Sequence, residues 1–75
     1  MIGFLQGQVL FSDGHEIILL TSNGIGHQVY FNHVLAEGAV ASIFVSHIVK
    51  ESSEEMYGFQ TLREKKLFEM LITVK

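Results

Sequence analysis

Any chemistry in this chain must come from four histidines, eight carboxylates and five basic side chains, because it contains no cysteine. That absence removes a thiolate nucleophile, a disulfide framework and a Cys-type zinc site. No two of His15, His27, His33 and His47 stand at His-x-x-x-His spacing, and His15 and Glu16 project to opposite faces of a strand. Neither a metal set nor an acid–base pair is therefore expected, and His47 reads as a hydrogen-bonded or solvated residue near the end of a sheet. The stretch "NGIG" (Asn23 to Gly26) contains a GxG, but a phosphate cradle needs a helix N-terminus directly after it, and none follows. It reads as a turn.

Charge is concentrated in one place. Lys50-Glu51-Ser52-Ser53-Glu54-Glu55 sets three carboxylates and one lysine between "SIFVSHIV" and "MYGF". Both flanks read as strands, so the insert reads as a hairpin tip, and composition alone makes it a solvated loop. The rings of Phe4, Phe11, Tyr30, Phe31, Phe44, Tyr57 and Phe59 raise a second chemistry, base stacking on a nucleic-acid-binding sheet. That mode needs a basic groove, and Lys50 is the only basic side chain in the first 60 residues. Most of these rings are expected in a core.

The elements that must hold these groups are mostly strands. Ile2 to Phe11 is the first, with Gly7 as a bulge or bend. Ser12-Asp13-Gly14 supplies tight-turn chemistry, and Glu16 to Thr21 is the second strand. Ser22-Asn23-Gly24 turns into the third, Gly26 to Phe31. Asn32 caps a short helix through Leu35 that Gly38 closes. Ala39 to Val49 is a long fourth strand and Met56 to Phe59 a short fifth. Alternation puts Ala39, Ala41, Ile43, Val45, His47 and Val49 on the inner face, and Val40, Ser42, Phe44, Ser46, Ile48 and Lys50 on a mixed outer face. The whole is an all-β, five-stranded Greek-key OB-fold barrel with a short helix between strands three and four. From Thr61 the period changes: Thr61 and Glu64 form a capping box, and Leu67, Phe68, Leu71 and Val74 recur at helical spacing. A C-terminal amphipathic α-helix follows, with Lys65 and Glu69 paired on its outer face. Its apolar end, "LITVK", carries no capping residue, as a helix leading into a further domain would.

With 75 residues, 48% of them hydrophobic and 17% charged, the chain is one small domain whose own core is marginal. The net charge of −3 argues against gripping nucleic acid by charge alone. The longest apolar run is four residues, Ile17 to Leu20, where a spanning helix needs about 20. No membrane partner and no signal peptide are expected, so the location is cytoplasmic. Strand two is apolar on both faces. Ile17 and Leu19 fill the barrel, and Ile18 and Leu20 point outward, each forgoing about 1.5–3 kcal/mol if left in water. Those two residues mark an oligomer or domain interface.

Taken in order, these segments resemble the N-terminal region of the RuvA family, the Holliday-junction-binding subunits of bacterial branch-migration complexes. "MIGFLQG" is similar to that family's Met-Ile-Gly-x-Leu-x-Gly start, "NGIGHQV" to its Gly-Val-Gly-Tyr-x-Val turn, and "MYGF" to its Tyr-Gly-Phe. "REKKLFEMLITVK" looks like the family's Leu-Phe-x-x-Leu-Ile helix. The resemblance runs the length of the chain. It implies an OB-fold domain over residues 1–60 and, over 61–75, the first helix of a truncated helix-hairpin-helix domain. It also implies a non-catalytic subunit, without cofactor, that assembles as a homotetramer on four-way junction DNA. Backbone amides of the second domain would hold the phosphates, and a third domain would engage a hexameric AAA+ motor; a junction resolvase is a further implied partner. An acidic hairpin pin at the crossover falls on Glu51 and Ser52. Ser52 replaces the family's second acid, and Glu54 and Glu55 are expected to keep charge on the same tip. A generic OB-type single-strand binder and a pure oligomerisation scaffold are the competing readings.

Overall fold

The computed structural model describes residues 3–72, and its first turn shows how short polar residues set the path. Asp13 Oδ1 accepts hydrogen bonds from the backbone N–H groups of His15 and Glu16, both at 2.9 Å, folding β1 (Phe4–Ser12) back onto β2 (Glu16–Leu20). The Glu16 and then the His15 amide hold the Asp13 carboxyl below its usual range. The second turn delivers β3 (Gly26–Tyr30), and β4 (Val40–Val49) and β5 (Glu54–Phe59) complete a closed barrel in the order β1-β2-β3-β5-β4. Every pairing is antiparallel except β3 with β5, which meet in parallel at Tyr30 and Tyr57. This is the Greek-key OB barrel that the strand count implied. Its core is Leu5, Val9, Ile17, Leu19, Val29, Phe31, Ile43 and Val45.

Several expectations need correction. No helix forms between β3 and β4. A single turn recovers few hydrogen bonds for the residues it fixes, and this segment's donors have better partners: Leu35 N–H donates to Ser12 Oγ at 2.9 Å, and Gly38 N–H to the Val9 carbonyl at 2.7 Å. Gly7 is not the bulge. The register slips between Val9 and Phe11, and Gly7 serves close approach instead, since a Cβ there would sit 2.4 Å from the Leu20 carbonyl oxygen. The inner face of β4 is as expected at Ile43 and Val45, but Val49 at the far end is 67% exposed. Ser46, assigned to the partly exposed face, is only 4% exposed.

The cover over Ser46 is α1 (Leu62–Ile72). Its start is the capping box: Glu64 N–H donates to Thr61 Oγ1 at 3.2 Å, and Thr61 N–H to Glu64 Oε1 at 3.3 Å. The helix lies on the outer face of β4 and β5 through Phe68, whose ring sits 5.1 Å from both Tyr57 and Phe59. Lys65 and Glu69, expected outward, face the sheet instead, with side-chain exposures of 14% and 33%. Leu67 and Leu71 remain exposed, and Val74 lies outside the described residues. The helix packs through the Phe68 ring and through Glu69, which accepts from Ser46, while Leu67 and Leu71 of its apolar stripe stay uncovered. The outer pair on β2, Ile18 and Leu20, is half-buried within this single chain.

Candidate nucleic-acid interface

The β4–β5 hairpin outgrows the barrel that carries it. Among the described residues β1 follows β4 from Gln8–Val40 to Phe4–Phe44, with Val45 N–H donating to the Gly3 carbonyl at 3.0 Å, whereas β5 follows β4 out to Val49–Glu54. Among the described residues, the structure beyond His47 and Met56 is therefore a two-stranded ribbon. It closes when Lys50 N–H donates to the Ser53 carbonyl at 2.7 Å, which makes Glu51 and Ser52 the apex. These are the two positions the resemblance assigned to the pin, and both are exposed. Among the described residues, no hydrogen bond or ion pair engages either apex side chain.

Glu54 and Glu55 behave differently. Both belong to β5 and not to the tip, since the strand begins two residues earlier than expected. Their side chains fall on opposite faces. Glu54 Oε1 lies 2.6 Å from His47 Nε2, pairing an exposed carboxylate with a largely covered imidazole. Glu55 Oε1 accepts a 2.8 Å hydrogen bond from the Tyr57 hydroxyl and lies 3.7 Å from Lys50 Nζ. That bond to a carboxylate, with burial, raises the Tyr57 pKa above its ordinary value. The stem thus consumes two of the three glutamates and the lysine as internal partners.

Under the stem, Ser46 Oγ donates to Glu69 Oε2 at 2.8 Å, and Lys65 Nζ reaches the same oxygen at 2.5 Å. Lys65 first, then Ser46, hold the Glu69 carboxyl below its usual range. Beside this contact an open cleft of about 470 Å³ is lined by rings and leucines, among them Tyr30, Tyr57, Phe59, Phe68 and Leu71. The other histidines are dispersed, and among the described residues no three His, Asp or Glu side chains gather as a metal set. Among the described residues no helix is long and apolar enough to cross a membrane. Ser46, Tyr57, Lys65 and Glu69 were not anticipated as a unit. Their one legible signal was a serine on the outer face of a long strand, with a Lys-Glu pair on the helix that follows.

Fold and site together define a small OB-barrel domain with a charged hairpin standing off one end. The chain belongs to the RuvA N-terminal domain family, which residues 1–58 match. It is 38% identical to the Holliday junction branch migration complex subunit RuvA of a Geobacter strain over 79 residues, covering 99% of this chain and 39% of that protein. Identity to the protein of the same name from Halothermothrix orenii is 36% over 77 residues, with the same coverage. For Rickettsia peacockii it is 38% over 78 residues, covering 38% of the relative. The chain spans about two fifths of the length of the curated relatives it matches.

Proposed function

We propose that this chain is the barrel domain of a Holliday-junction-binding subunit whose β4–β5 hairpin presents its apex carboxylate, Glu51, to the crossover. The observation that carries this reading is the sorting of side-chain partners along the hairpin. His47 takes Glu54, Lys50 and Tyr57 take Glu55, and the apex acid is left to solvent. Two unit charges about 4 Å apart repel by ~1 kcal/mol in water, and by more where water is excluded. Such an apex does not attract DNA; it holds strands apart at the crossover and disfavours plain duplex. The domain itself is non-catalytic. Affinity comes from a helix-hairpin-helix domain that α1 opens, and a third domain engages the hexameric AAA+ motor in the cytoplasm. Four barrels meet around a common axis, with Ile18 and Leu20 at the interface between copies, so four apices converge where the strands cross. A junction resolvase acts on the same complex.

A single-strand binder would need cations beside its stacking rings, yet Lys50 lies against Glu55 and Lys65 against Glu69. The decisive experiment compares wild type with Glu51→Gln in the full-length protein, titrating four-way junction and linear duplex at one salt concentration. Duplex affinity is expected to rise and the junction-over-duplex preference to fall about fivefold, the factor that ~1 kcal/mol represents. An unchanged preference would return the hairpin to an ordinary solvated loop.

A further inference from the structure

We infer that Tyr57 is the positioning residue that fixes the acidic apex relative to α1, acting through Glu55 and Lys50. For its biological use this rests on the crossover role above; its structural content does not.

The need for such a residue follows from the ribbon. Two strands without a third neighbour are marginal in water and twist easily, so ladder bonds alone would leave the apex wandering. One face of the ribbon carries Ser46, Ile48 and Lys50 on β4 opposite Tyr57 and Glu55 on β5, with Ser46 across from Tyr57 and Ile48 across from Glu55. This is the face that α1 covers. A continuous chain of contacts runs along it. Phe68 of α1 stacks at 5.1 Å on the Tyr57 ring. The Tyr57 hydroxyl donates to Glu55 Oε1 at 2.8 Å. The same oxygen lies 3.7 Å from Lys50 Nζ, and the Lys50 amide closes the apex on Ser53.

The chain does two things at once. It ties the neck of the hairpin to a helix instead of to solvent, and it holds the Lys50 ammonium on Glu55, away from the neighbouring Glu51. A freely rotating Lys50 would have a second carboxylate to choose. Tyr57 decides between them, because its hydroxyl fixes the Glu55 carboxylate in the position Lys50 meets. The aromatic ring alone cannot do this, so the assignment is to the oxygen.

Tyr57→Phe removes that oxygen while keeping the ring on Phe68 and Tyr30. In the full-length protein, millisecond hydrogen exchange read by mass spectrometry should show peptides spanning residues 48–56 exchanging about tenfold faster, the scale of losing a hydrogen bond to a charged acceptor. Peptides from β2 and β3 should keep wild-type protection, which a general loss of stability would not allow. Glu55→Ala, which removes the acceptor altogether, should loosen the same peptides, and adding Tyr57→Phe to it should change nothing further. Wild-type protection at 48–56 in Tyr57→Phe, or additive effects of the two substitutions, would overturn the inference. Junction-over-duplex preference measured on the same variants separates the two ideas. Faster apex exchange with unchanged preference leaves Tyr57 in its positioning role and removes the crossover role from the hairpin.

Discussion

Removing the charge of Glu69 should undock α1 in a pH-dependent way. Glu69 accepts from Ser46, which is nearly fully buried, and pairs with Lys65. A hydrogen bond to a charged group contributes about 1.5–3 kcal/mol, but this carboxylate is 33% exposed, so water replaces part of what is lost. The Lys65 pair adds only a few tenths at i,i+4 spacing, with lysine on the less favourable N-terminal side. Glu69→Gln can still accept from Ser46 as a neutral partner, which leaves about 1 kcal/mol for the charge itself. For a domain of this size that corresponds to a fall in Tm of roughly 4–8 °C. The sign with pH follows from the lowered carboxyl. A group whose native pKa lies below its unfolded value stabilises fully above the unfolded value, here 4.5, and loses that contribution as pH falls through the native one. Urea unfolding of wild type and Glu69→Gln should therefore differ in midpoint at pH 7 and converge in acid, the other carboxylates titrating alike in both. A gap of equal size at both extremes, or none at pH 7, would show that the charge on Glu69 does not hold the helix down.

Two further substitutions probe the framework. Phe68→Ala should cost roughly 1–2 kcal/mol, below the usual range for a fully buried ring because Phe68 is only half covered. Faster exchange in α1 peptides with an unaltered barrel would confirm that this ring is the helix's anchor. Gly58→Ala places a methyl 2.9–3.1 Å from side-chain atoms of Val29, Ile43 and Phe31, and overpacking of that kind costs about 1–3 kcal/mol. Thermal unfolding should register it, and an undiminished Tm would mean that the three neighbours can yield.

The barrel was legible because its information is local and periodic. Asp13-Gly14 and Asn23-Gly24 mark turns by backbone chemistry, and Ile17, Leu19, Ile43 and Val45 occupy the inner face that alternation assigned them. What escaped the sequence depends on elements far apart in the chain. The Asn32–Leu35 segment carries an acceptable cap, yet β1 takes the Leu35 amide at Ser12 and the Gly38 amide at Val9, partners that a single helical turn does not offer. The Lys65–Glu69 pair has the spacing of a solvated helix face, and only the meeting of α1 with Ser46 turns it inward. The acidic stretch was legible as charge but not as arrangement. Which acid faces water depends on where β5 begins, and strand ends follow pairing more than residue type.

That arrangement gives the hairpin its sign at the apex. Lys50 beside Glu51, Glu54 and Glu55 leaves the segment two charges negative, but a sum says nothing about where a polynucleotide would feel it. Had Lys50 paired with Glu51, the apex would be neutral and the negative charge would sit on the stem. With Lys50 drawn to Glu55, the hairpin's one lysine lies in the stem, and the carboxylate without a side-chain partner among the described residues lies furthest from the barrel. Under the proposed crossover role this makes Glu55 the counter-charge that keeps Lys50 off the apex, a different task from the one its place in the sequence suggested. It also offsets the loss of a second acid at Ser52. Under that proposed role a single apex carboxylate suffices if no neighbouring cation screens it, because repulsion between an exposed charge and a phosphate falls steeply once a cation lies within a few ångströms of either.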